Sequence, residues 1–477
     1  MNISLPNNLW RHSWPMISCS CIGIAFFYGL CLLFPPSVNI IVNFSEYRWF
    51  QWCISLACLS IPILLFMVDN AKVHGTWDSK LLWTLTVALL ISMVHNTRLT
   101  LDIQPLFFAA TIVYAYRHPY AIRRPSTCHY VLWIYLIWNG ISLLWSKDYH
   151  YGLRLFNHMM PLLLFSLCFL VHGTTRTIYN RIFKAFWQGF IIACILSFCS
   201  SIYTLLYLHV SIWDIFSLHK STILDQYHVY ELLFAWSGRE HPSYNAIWVL
   251  GGILAGFYLY EKRLITTIEW LFSCVCGTCL MALMQSRIGI VMAGLVLLGG
   301  SLYLLRTHKR MIAIVCIVLT LIATIILVVR PTLPLEFGHD ITRIKLLETS
   351  KNYIAQHLWL GAGLGGMTSE HLTQAISGFE FAEYAHFYPH NQFLGDAMQG
   401  GIIGLILSVA LMVAFLVTTL YRRNYWMLLF GISILLFMLI EMPFRFLSGT
   451  FQVSLIVYLG MQMPRRHRQS VIQRDKC

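Results

Sequence analysis

The sequence predicts an all-α polytopic membrane protein with about 12–14 transmembrane helices and a large external loop carrying short helices. Three observations predict it. Hydrophobic residues make up 58 % of the 477-residue chain and charged residues only 11 %, where a soluble domain carries about 25 % charged residues. Mean hydropathy is +0.65. Apolar runs of about 15 to 25 residues recur along the chain, as helices that satisfy their own backbone in lipid require.

Taken in order, the candidate spans are 14–34, 49–68, 81–96, 104–116, 129–145, 152–171, 185–208, 246–260, 268–284, 287–305, 311–329, 395–420, 425–440 and 446–463. The first lacks a small-residue cleavage site and reads as a retained helix rather than a signal peptide. The third and fourth are short and fit a kinked or re-entrant pair. No soluble domain fits between the spans, so residues 1–477 read as a single integral membrane domain. It has an external loop at 209–245, a large external catalytic loop at 330–394 and a basic cytoplasmic tail at 464–477.

Orientation follows from Lys and Arg. With the N-terminus in the cytoplasm and fourteen spans, the inner segments hold 21 of the 33 Lys+Arg and 5 of the 20 Asp+Glu, a balance of +16. The outer side is left at −3, and the two balances make the net charge of +13. The basic character therefore reflects topology and is no sign of nucleic-acid binding. Both long loops fall outside, and long loops tend to carry function. Where ATP is unavailable the substrate must arrive already activated. Trp10, Trp14, Trp49, Trp52, Trp83, Trp145 and Trp426 lie near predicted span ends, as an interfacial aromatic belt requires.

Cys274, Cys276 and Cys279 have metal-like spacing but lie mid-span without His or carboxylate, so helix packing is their expected role. Gly361-Ala362-Gly363-Leu364-Gly365-Gly366 lacks a preceding strand and a following Gly-Lys-Ser/Thr, and reads as a loop turn rather than a phosphate cradle.

Four outer-face segments combine polar chemistry with membrane depth. Gln285-Ser286-Arg287-Ile288-Gly289 puts an Arg beside hydrocarbon, where a cation is costly and usually paired or functional. Asp340-Ile341-Thr342-Arg343 precedes Ile344, Leu347, Ile354 and Leu358 at helical spacing. With Asp340 as N-cap, Arg343 falls in a first turn that favours anions. Tyr388-Pro389-His390-Asn391-Gln392-Phe393-Leu394 sets a histidine where a polar loop meets a span opened by Gly400, Gly401 and Gly404. Ser237-Gly238-Arg239-Glu240-His241-Pro242-Ser243-Tyr244-Asn245 offers Arg239 to an anion and Tyr244 and Asn245 to a sugar. Each also has a plain structural reading: snorkelling, a solvated helix, a lone structural His or a re-entry turn. Arg binds phosphate bidentately and keeps its charge, and a histidine near neutrality takes a proton from an attacking hydroxyl. Together they fit transfer of a group from a phosphate-linked lipid donor to an alcohol.

In these residues the chain resembles the bacterial O-antigen ligase and O-antigen polymerase superfamily of integral membrane glycosyltransferases. The resemblance is carried by Ser286-Arg287-Ile288-Gly289, Arg343, Gly361–Gly365, His390-Asn391-Gln392-Phe393-Leu394 with Gly401-Ile402-Ile403-Gly404-Leu405, the segment Ile141–Asp148, and Gly238-Arg239 through Pro242. The resemblance implies a bacterial cytoplasmic (inner) membrane enzyme of lipopolysaccharide and cell-envelope biosynthesis, its active site facing the periplasm. The implied donor is a glycan on undecaprenyl diphosphate, and the implied acceptor a lipid A-core or other glycan. Arg287 and Arg343 would hold the diphosphate and His390 would act as base or orient the acceptor, with Arg239, Asn391, Tyr244 and Asn245 binding substrate. No cofactor, metal or nucleic acid is implied. Leu347 stands where the family often has Trp. Ligase, polymerase and protein O-oligosaccharyltransferase share these features. A lipid-linked glycan transporter or flippase is the rival of a different class, but it would carry midplane charges and inverted repeats.

Overall fold

A computed structural model describes residues 44–71, 75–95, 98–171, 175–207, 242–284, 286–305, 337–366 and 389–462. Every regular element among them is helical: α1 Phe44–Ala71, α2 Trp77–His95, α3 Arg98–Arg117, α4 Thr127–Ile141, α5 Tyr149–Val171, α6 Arg176–Tyr207, α7 Pro242–Glu261, α8 Thr267–Leu283, α9 Arg287–Leu305, α10 Phe337–Gln356, α11 Gln392–Tyr421, α12 Tyr425–Met438 and α13 Leu447–Met461. Six of them contain stretches long and apolar enough to cross a membrane. The expected all-α polytopic membrane fold is what the chain adopts. Twelve of the fourteen predicted spans coincide with a helix, while 14–34, 311–329 and the tail 464–477 fall outside the described residues.

The expected short pair at 81–96 and 104–116 is instead two full helices of 19 and 20 residues, α2 and α3, packed side by side. Polar groups at their ends disguise their length in the sequence. Asp78, almost wholly buried in the first turn of α2, lies 3.0 Å from His118 Nε2 and 3.3 Å from Arg117 Nε at the end of α3. That carboxylate also suits the positive pole of a helix N-terminus. The last residues of the expected 209–245 loop, from Pro242, are likewise already the first turn of α7.

Helix α7 is the axis of the bundle. It is buried from Ser243 to Tyr260 and packs against α6, α8, α9, α12 and α13, as a helix apolar on all sides must. Small residues permit the close approach. A methyl on Gly252 would strike the Phe190 ring of α6.

Of the residues expected to form an aromatic belt, Trp10 and Trp14 fall outside the described residues. Trp83 and Trp426 are buried, and Trp426 donates Nε1–H to Glu261 at 2.8 Å. Among the described residues, Trp77 and Trp359 are exposed. Inter-helix contacts sort the described connections into two ends. Residues 69–71, 75–80, 117–129, 170–171, 175–184, 258–269 and 422–427 gather at one. The turns 142–148, 361–366, 389–391 and 439–446 gather at the other.

Candidate active site

Helix α11 begins at the second end. Asn391 is its N-cap, accepting from Leu394 N–H at 3.1 Å and donating Nδ2–H to Leu439 O at 3.0 Å. An Asn cap satisfies one of the helix's orphan donors. Pro389 and the cap turn the chain sharply, and His390 takes a left-handed φ of 45°, rare for a residue with a side chain.

About two and a half turns onward α11 is broken at Gly401, whose φ is 63°. The break lets the carbonyls of Met398 and Gln399 accept from Ala362 and Gly363 N–H, both at 2.9 Å, while Ile402 N–H donates to Leu358 O at 2.8 Å. The Gly361–Gly366 turn is thus stitched to α11. Its other side seats on the α4–α5 connection. Leu364 N–H donates to Ser142 Oγ at 3.1 Å, and a methyl on Gly363 would come 2.6 Å from Ser142 O. The N–H groups of residues 361 to 364 are all bonded within the protein. None of those four is left to hold a phosphate, and the segment is the structural turn its sequence suggests.

Across from α11 lies the 439–446 turn between α12 and α13. Glu441 Oε2 sits 3.4 Å from His390 Nδ1, with the carboxylate buried and the ring about one-quarter exposed. Beneath them Asp396 and Arg445, each 1 % exposed, pair at 2.6 Å. Asp396 also receives Tyr135 Oη–H at 3.0 Å and Gln392 Nε2–H at 3.1 and 3.2 Å. Arg445 Nη1–H reaches Asn139 at 3.3 Å, Gln392 Oε1 accepts Phe444 N–H at 3.1 Å, and His158 Nδ1 lies 3.0 Å from the Arg445 carbonyl. A buried charge pair is tolerable only with its remaining polar groups satisfied. Here four elements supply partners for all of the pair's polar atoms except the buried Arg445 Nε, so the network ties α4, α5, α11 and the 439–446 turn together directly below the His390–Glu441 pair.

The other predicted residues are placed as follows. Arg287 is the first residue of α9, with Ser286 as its cap, since Gly289 N–H donates to Ser286 Oγ at 3.1 Å. Gly289 packs on Ala246 of α7, which brings the α9 N-terminus to the N-terminal turns of the axis helix. Arg343 does not lie in a first turn headed by Asp340. Helix α10 starts at Phe337, so Arg343 is its seventh residue and beyond the reach of the terminal dipole. Tyr244 and Asn245 are buried at 4 % and 1 %. Tyr244 packs between Phe437 and Phe446, and Asn245 accepts from Trp248 Nε1–H at 3.0 Å. They are wall residues of the bundle rather than an open sugar surface. Arg239 falls outside the described residues.

Sequence reasoning missed Glu441, Tyr135 and the Asp396–Arg445 pair. A signal existed: Glu441-Met442-Pro443-Phe444-Arg445 puts an acid, a proline and an Arg in the short gap between two apolar runs, and ionisable groups so close to hydrocarbon call for partners.

Residues 272–409 match the family described as O-antigen ligase. That segment is similar to the O-antigen ligase family. No curated protein matches the chain at a significant level. The matched segment holds Arg287, Arg343, His390, Asn391 and Asp396, whereas Tyr135, Glu441 and Arg445 come from outside it. The family is one of membrane enzymes acting on lipid-linked glycans and their acceptors.

Proposed function

We propose that the protein transfers a glycan from undecaprenyl diphosphate to an acceptor sugar hydroxyl on lipid A-core, at the periplasmic face of the cytoplasmic membrane. The observation that carries this reading is the quarter-exposed His390 at the head of α11, within the segment that matches the O-antigen ligase family, held against the buried Glu441. Glu441 fixes the ring through Nδ1 and offsets the charge it gains, leaving Nε2 to take the acceptor proton. Among the described residues Nε2 has no hydrogen-bond partner. The acceptor oxygen attacks the anomeric carbon, the bond from that carbon to the diphosphate oxygen breaks, and the diphosphate leaves with the electron pair. Displacement of this kind inverts the sugar configuration. Arg287 and Arg343 neutralise the departing diphosphate, a task suited to bidentate guanidinium. Arg239 is proposed to assist them, while Asn391, Tyr244 and Asn245 shape the site through the backbone and walls they hold.

Deletion of the gene tests the reading. A ligase leaves intact long glycan chains on undecaprenyl diphosphate. Lone lipid-linked repeat units would replace this conclusion with polymerisation, and an unchanged glycolipid profile would end both. No metal is invoked, so purified enzyme turns over donor and acceptor in EDTA; loss of activity there would overturn that part of the mechanism.

A further inference from the structure

We infer that the end of the bundle opposite His390 binds an anionic phospholipid of the adjoining leaflet, with its phosphate on Arg123 and Arg422 and a segment of acyl chain between α4, α5, α11 and α13. The inference rests on a cavity of about 110 Å³ that opens toward that end and runs inward past Phe430 and Ile434 of α12 to Phe444, lined almost wholly by apolar side chains such as Leu132, Leu162 and Val457. A dry apolar cavity of about 150 Å³ takes a benzene ring, so this one fits part of one chain rather than a whole lipid. Ser126, His129 and Phe169 form its rim at the basic end. Two guanidiniums converge on that rim: Arg422 Cζ lies 5.4 Å from the Phe169 ring centre and Arg123 Cζ 6.0 Å from it. The fit of both is local. Arg123 N–H donates to Leu170 O, and Arg422 Nη1–H to the carbonyl of Met461, itself a cavity residue. Arg124 and Arg423 stand beside them, both exposed. An apolar slot under paired cations is complementary to a phosphodiester headgroup with its chain, and such basic segments draw anionic lipid.

The isoprenoid tail of a lipid-linked donor is the other occupant of comparable chemistry. The cationic rim argues against it, because a donor handled at His390 keeps its phosphates at the far end of a bundle in which the stretch of α11 beyond the Gly401 break alone is about 30 Å long.

Native mass spectrometry of the full-length protein, released from bilayers of equal phosphatidylglycerol and phosphatidylcholine, tests the site. Phosphatidylglycerol should be retained preferentially. Arg123→Gln with Arg422→Gln should weaken that retention by roughly thirtyfold, the surface attraction of two cations. Because Arg422 also bonds Met461, Arg123→Gln alone is the milder second variant and should lose part of the preference. On the wild-type protein, phosphatidylglycerol bearing a photoreactive group mid-chain should label cavity residues of α4 or α13. Equal retention of the two lipids, labelling spread evenly over the exposed helices, or displacement of the label by undecaprenyl phosphate would each overturn the inference, the last by giving the cavity to the donor tail.

Discussion

Asp396 and Arg445 put opposite charges where water does not reach, and the site depends on them without exposing them. Breaking such a pair leaves an uncompensated buried charge and costs about 3–5 kcal/mol. Arg445→Met should therefore lower the thermal unfolding midpoint in detergent sharply, while Asp396→Leu with Arg445→Met recovers much of the loss. A double variant no more stable than the single would refute that account of the network. Its neighbours act on chemistry instead. A positioned general base contributes about 10²–10⁴-fold in rate, so His390→Ala should insert normally, still bind donor and be nearly inactive. Retention of more than about a tenth of wild-type turnover would remove His390 from the role. Glu441→Gln keeps shape but not charge. It should lower kcat far more than it raises KM, because the carboxylate is proposed to stabilise the ring only once it is protonated. For the donor clamp, Arg287→Lys and Arg343→Lys keep charge but lose the bidentate fork, and both should lose most activity at matched membrane levels.

At the scale of elements, the glycines of the 361–366 turn and the break at Gly401 decide whether α11 presents His390 correctly. Gly363 has a φ of 82° and faces Ser142 O and Ser146 N across less space than a methyl needs. Gly363→Ala should unseat the turn from the α4–α5 connection. Hydrogen exchange at residues 361–364 should then rise and activity fall, with the helices intact. Unchanged protection would mean that the turn tolerates a side chain. The sequence made this turn readable as a turn, since alternating glycines without a strand or a Gly-Lys-Ser/Thr have little other use. It did not reveal what the turn seats on, because hydrogen bonds from 362–364 to 398–399 and 142 link segments far apart in the chain. Helix existence was legible for the same reason the class was: lipid forces long apolar runs. Helix ends were not. Arg343 looked like a first-turn residue because Asp340 is a good cap, yet α10 runs back to Phe337. The buried tie of Tyr135 to Asp396 spans 261 residues, and no local pattern carries it.

For the whole molecule, the two ends of the bundle differ in charge as well as in architecture. Lys80, Arg117, Arg123, Arg181, Lys262 and Arg422 belong to one end, where they bond or stack on neighbouring helix termini. The other end holds His390, Glu441 and the stitched glycine turn. Helix α11 joins the two directly, from Gln392 beside His390 to Tyr421 beside Arg422 and Arg423. Cytoplasmic connections of membrane proteins carry the excess of Lys and Arg, so we propose that the Arg422 end faces the cytoplasm and the His390 end the outside. The proposed orientation would set which leaflet the phospholipid comes from and which compartment supplies the glycan acceptor. A phosphatase reporter fused near residue 370 should be active and one fused after Arg466 inactive. Cysteine accessibility offers an independent reading at a single position. With the native thiols replaced, a Cys substituted for exposed Lys147, in the turn beside the glycine segment, should react with an impermeant maleimide in cells whose outer membrane is permeabilised. A Cys substituted for exposed Arg124 should react only after the cytoplasmic membrane is opened. The reverse pattern would place His390 in the cytoplasm and remove both the proposed donor face and the leaflet assigned to the phospholipid.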